Sequence, residues 1–148
     1  MKAFFSGYDV KLLFLVFCMA AVQFTLQAHT NEYLDTVGGE HGGMLRMSGP
    51  YHLELVVRQG EVVIWLTDHG NAPRSTADIQ GELTLFQDGE RINVGLESRN
   101  ENELHGSDPR IVATPNPRAV LTLSPAGESP IQVRFAAIKR NDADAHAH

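Results

Sequence analysis

Between Tyr51 and Asp68 the chain alternates apolar and polar residues along two arms joined by Gln59-Gly60. A period of two marks strands with one buried face. Tyr51, Leu53, Leu55 and Val57 share one face of the first arm, which leaves His52 and Glu54 on the other. Gly60 tolerates the positive φ that a two-residue hairpin turn requires, so Val62 to Asp68 returns as the partner strand. Pairing Arg58 with Glu61 sets Val57 against Val62, Leu55 against Ile64 and Leu53 against Leu66, and that face is core. The same register puts Glu54 opposite Trp65 and His52 opposite Thr67, with His69 diagonal to His52 at roughly 7–8 Å between backbones. A slip of one residue would turn the whole apolar set towards water, and this favours the register.

Similar patterns recur along the chain. Met44 to Ser48 reads as a short first strand ended by Gly49-Pro50. Gly81–Phe86 and Glu90–Glu97 flank Asp88-Gly89, the strongest hairpin-turn signal present. Arg118–Ser124 and Pro130–Ile138 form a last hairpin, with Val120, Leu121 and Leu123 answered by Ile131, Val133 and Phe135. The segment from Asn71 to Ile79 has no clear period, and Ser98 to Asp108 is a polar bend with a short strand near Leu104 and His105. No sustained period of 3.6 appears after the amino-terminal segment. The expected fold is all-β, an antiparallel Ig-like β-sandwich of about seven strands over residues 40–139, with a small β-barrel as the alternative.

The termini read differently. Lys2 and Lys11 precede an apolar run from Leu12 to Val22 that closes on Leu26-Gln27-Ala28, the pattern of a signal peptide over residues 1–28. The run is shorter than the roughly 20 residues a spanning helix needs, so no membrane anchor is expected after processing. Phe17 is too bulky for the small residue expected before a lipidated cysteine, which argues against a lipid on Cys18. Cleavage would place the protein in the periplasm and remove its single cysteine, excluding disulfides and thiolate ligands. Residues 29–39 read as a flexible leader and 140–148 as a disordered tail carrying His146 and His148. The full chain has a net charge of −6, and a phosphate-binding basic face is not visible, so nucleic acid is not an expected partner.

No GxSxG, HExxH or phosphate-cradling glycine loop occurs, and catalysis has no support in the residues. The chemistry on offer is imidazole, thioether and carboxylate. Met44, Met47, His52 and Trp65 form a soft set suited to Cu(I), with the indole face available to a cation. His41, His52, Glu54 and His69 form a harder set suited to Cu(II) or Zn(II). Met44 and Met47 stand an odd number of residues apart and cannot both face one site on a strand; core packing is their other reading. His29 would become the amino terminus after cleavage, where amine and imidazole together could chelate a metal, whereas His105 reads as an inert loop residue.

Three segments together resemble a known family: Glu40-His41-Gly42-Gly43, then Gly49-Pro50-Tyr51-His52-Leu53-Glu54-Leu55-Val56, then Trp65-Leu66-Thr67-Asp68-His69 with Pro73 following. The resemblance, over about residues 38–136, is to a small exported domain associated with bacterial heavy-metal efflux. That domain occurs alone or as an amino-terminal extension of periplasmic efflux adaptors. It implies a periplasmic β domain that handles metal ions through His41, His52, Glu54 and His69. The adaptor's own hairpin and lipoyl-like parts are absent, so a pumping role does not carry over. The expected function is a transition-metal buffer or chaperone, copper first and zinc second, with an efflux adaptor or other envelope protein as partner. The alternative is a non-catalytic interaction or structural domain whose histidines are incidental, docking through a sheet edge.

Overall fold

The computed structural model describes Leu34 and residues 38–136. The expected signal peptide, the leader from residue 29 to 37 apart from Leu34, the last expected residues of the domain from 137 to 139, and the expected tail 140–148 lie outside them. Eight strands follow in order: β1 (Met44–Ser48), β2 (Tyr51–Arg58), β3 (Glu61–Thr67), β4 (Ile79–Gln87), β5 (Glu90–Arg99), β6 (Glu103–Ser107), β7 (Ala119–Pro125) and β8 (Ile131–Phe135). All of their pairings are antiparallel, and one sheet runs β1-β2-β3-β6-β5-β4-β7-β8. The end strands β1 and β8 lie beside each other, so the sheet is nearly closed. The all-β antiparallel class is therefore as expected, in a form consistent with the small-barrel alternative.

The central hairpin takes the expected register at every position, from Arg58↔Glu61 to His52↔Thr67. Its inner face, with Leu53, Leu55, Ile64 and Leu66, is buried together with Leu83, Leu85, Leu121 and Phe135 from the opposite part of the sheet. In the second hairpin both turn residues, Asp88 and Gly89, have positive φ, the backbone that matches the right-handed twist of adjoining strands. The last hairpin differs from expectation in one respect. Ala119, Leu121 and Leu123 face inward against Phe135, Val133 and Ile131, whereas Val120 pairs with Arg134 on the other face and is only half-buried. The wall here follows strict alternation, which admits one of two adjacent apolar residues.

Two further features escape a reading by local period. β6 is inserted between β3 and β5, so His105 is a strand residue and not a loop residue; its Nε2 lies 3.0 Å from Glu61 Oε2. Ile111, in the proline-broken stretch, is fully buried in the core, and its carbonyl accepts the Gly60 N–H at 2.9 Å. The unpatterned segment after β3 is held by backbone bonds: Arg74 N–H donates to Leu66 O and Thr76 N–H to Glu101 O. Thr76, fully buried, also bonds Ser98 Oγ and Glu103 O through its hydroxyl.

Candidate functional site

All the candidate residues but Met44 lie on the outer face of β1, β2 and β3 or on the loops beside it. Glu54, the most buried of them with 5% exposure, would be costly as a bare carboxylate, because a buried charge needs partners. It has three. Its Oε1 accepts the backbone N–H of His41 at 2.7 Å and of Gly43 at 2.8 Å, and its Oε2 lies 2.9 Å from His41 Nδ1. The loop that supplies them is a tight turn, with Gly42 N–H on Gly39 O and Gly39 N–H on Gly43 O, both at 3.1 Å. Glycine is required at two places by close approach alone. A Cβ on Gly39 would sit 2.0 Å from Glu54 Cδ, and one on Gly43 would sit 2.5 Å from the carbonyl oxygen of Leu55. The Glu40-His41-Gly42-Gly43 run is thus a cradle folded onto one carboxylate.

This cradle sets His41 on Trp65. The two rings stack face to face, 3.9 Å between centroids and 5° between planes. Trp65 is anchored in turn, its Nε1 donating to Glu103 Oε1 at 2.8 Å, while Asn100 Nδ2 donates to the other oxygen of Glu103. The indole is 9% exposed, more covered than an outward strand residue would be without the loop above it. With Glu54 as the carboxylate, which accepts only, the contact is donated by His41 Nδ1, and in the neutral imidazole Nε2 is then the nitrogen with the lone pair. The His41 side chain remains 40% exposed.

Two residues back along β2, on the same face, His52 meets His69. His52 Nε2 and His69 Nδ1 are 3.1 Å apart, and the rings meet edge to face at 5.0 Å between centroids. His69 is brought there by the loop after β3. The Asp68 carboxylate accepts the N–H of Gly70 at 2.8 Å and of Ala72 at 2.9 Å, and Asp68 N–H donates to Ala72 O. Those two amide bonds hold the Asp68 carboxyl below its ordinary value of 3.8. Across the β1–β2 ladder, Met47 stands opposite His52 on the same face, whereas Met44 pairs with Leu55 and is buried in the core.

The seven sequence candidates therefore separate. His52, His69 and Met47 gather at one position of the outer face; His41, Glu54 and Trp65 form a second cluster beside it; Met44 belongs to neither. Among the described residues no three His, Cys, Asp or Glu side chains converge as a ready metal cage. Glu103, which orients the indole, is the residue that sequence reasoning passed over. Its position opposite Trp65 depends on the insertion of β6 beside β3.

No family model, curated protein or solved structure matches this chain.

Proposed function

We propose that this protein binds a transition-metal ion in the bacterial periplasm as a buffer or chaperone, copper first and zinc second, without catalysing a reaction. The observation that carries this reading is the 3.1 Å approach of His52 Nε2 to His69 Nδ1 on an exposed face. At metal–nitrogen bonds of about 2.0–2.1 Å, two nitrogens so spaced subtend about 100° at an ion, between square-planar and tetrahedral values. Met47, opposite His52, adds a soft thioether that favours Cu(I). The resemblance to efflux-associated domains supports the same reading and suggests an efflux adaptor or another envelope protein as the recipient.

Native mass spectrometry with one equivalent of Cu(I), Cu(II) or Zn(II) tests it. A one-to-one adduct that survives a weak chelator is expected, and its persistence in the His52→Ala, His69→Ala double variant would place the metal elsewhere. A non-catalytic interaction domain is the second reading. It is favoured by the carboxylate of Glu54, whose contacts are all spent on its own loop. It expects no stoichiometric adduct.

A further inference from the structure

We infer that the outer face of β4, β7 and β8 holds a site for a small organic anion, with a ring-sized apolar body on Phe86 and Val120 and a carboxylate or phosphate head between Arg118 and Arg134. These strands carry none of the candidate metal ligands, so the site stands independently of the reading above. Alternation sets its outline. With Leu85, Ala119 and Phe135 turned into the core, Phe86, Arg118, Val120 and Arg134 face outward. Val120 pairs with Arg134, and the Phe86 N–H donates to the Arg118 carbonyl at 2.9 Å, so the four side chains neighbour one another across three strands. Ala119 pairs with Phe135, which places Arg118 and Arg134 on a diagonal at roughly 7–8 Å between backbones.

Two observations call for a ligand there. Arginine stems commonly lie over apolar surface, yet here a cleft of about 300 Å³ stays open, lined by both arginines, Phe86 and Val120 together with Ala119, Phe135 and Ala136. That volume lies at the small end of ligand sites and suits a single ring with its head group. The second observation is that neither guanidinium is spent: among the described residues Arg118 and Arg134 make no ion pair or side-chain hydrogen bond, whereas Arg58 is held by Glu61 and Arg110 by Asp108. A guanidinium presents its donors as a planar fork that matches the oxygens of carboxylate and phosphate. The frame is already held. The Arg91 guanidinium lies 5.7 Å from the centroid of the Phe86 ring and adds positive charge beside it, and Arg46 donates to the carbonyl of Ala136 at the rim. Glu82, the carboxylate on this face of β4, stands four residues from Phe86, roughly 13 Å along the strand. In a chain of net charge −6, diffuse attraction of anions is disfavoured, and binding must come from such a local site.

Proton–nitrogen spectra of the arginine Nε–H groups, recorded while the protein is titrated with phenyl phosphate and separately with benzoate, test the site. Either probe should move the Arg118 and Arg134 signals along one saturation curve and leave those of Arg58 and Arg110 in place; the tighter probe names the head group. Inorganic phosphate and phenol, the head and the body alone, should each bind about tenfold more weakly than phenyl phosphate. Arg118→Gln and Arg134→Gln should each weaken binding about tenfold, and Arg58→Gln should leave it unchanged. Both cleft positions are exposed, so the strand amide signals of the same spectra should report an intact fold in each variant. Shifts that never saturate or spread evenly over the exposed arginines would overturn the proposal, as would inorganic phosphate binding as tightly as phenyl phosphate or full affinity in the Arg118→Gln, Arg134→Gln double variant.

Discussion

Two imidazole clusters lie side by side on one face of the sheet, and they are held in contrasting ways. His41 is fixed by a loop folded onto a buried carboxylate, by a stacked indole and by the glutamate and asparagine that hold that indole. His52 is half-buried and His69 exposed, and their rings meet each other. A group locked by several interactions keeps its geometry at the cost of sequence freedom. The glycines at 39 and 43 show that cost directly, since no larger residue fits there. A pair joined by one weak contact is free to admit a third atom between its nitrogens. One cluster is thus rigidly oriented and its neighbour loosely joined.

That contrast makes graded expectations. The inner face of β2 is the reference for full dependence on packing: Leu55→Ala should destabilise the fold by about 2–5 kcal/mol in denaturant titration, through the cavity it leaves. In the locked cluster, Gly43→Ala pushes a methyl against the backbone of β2 and should cost roughly 1–3 kcal/mol, with a matching change in Trp65 emission as the loop shifts. A variant as stable as the parent would show that the loop is not fixed by this approach. In the open cluster, His52→Ala and His69→Ala should each alter stability by no more than about 0.5 kcal/mol while weakening metal binding strongly. Losing stability and affinity together would erase the distinction between the clusters.

The smallest effect concerns acid. Asp68, which shapes the loop carrying His69, has its carboxyl lowered chiefly by the amide bond from Ala72 and then by that from Gly70. The folded state therefore favours the anion. Its contribution is complete above the ordinary value of 3.8 and is lost as pH falls through the lowered value. Amide exchange at Gly70 and Ala72, corrected for intrinsic rates, should lose protection over that range before the β2 amides do. Under the proposed metal-binding function, release of the ion on acidification would be a separate effect, because imidazole ligands must be deprotonated to bind.

The legible and illegible parts of the molecule divide by the range of the interactions involved. The central hairpin could be read because period and turn length together admit one register, which put His69 diagonal to His52, and the Asp68 loop then closes their rings to contact. The separation of Met44 from Met47 followed from alternation as well. The insertion of β6 was not legible, since it depends on pairings of β6 with both β3 and β5 that no local pattern encodes. The stacking of His41 on Trp65 was hidden for a related reason. Glu54 looks like one more outward polar residue of a strand, and its burial appears only when the preceding loop folds over it.

A sheet that nearly closes still has a first and a last strand, and here these are β1 and β8. Along this seam the Arg46 guanidinium, itself buried, donates to the carbonyl of Ala136 and to that of its neighbour Leu45. Each seam strand is zipped to the rest through a single neighbouring strand, so separating β1 from β8 breaks less than parting any interior pair. Thermal opening of the native barrel should begin there, like a coat parting at its fastening, with β1 peeling outward. Since β1 bears Met47 and follows directly on the His41 loop, the first excursion from the closed state would also carry donor atoms away from His52.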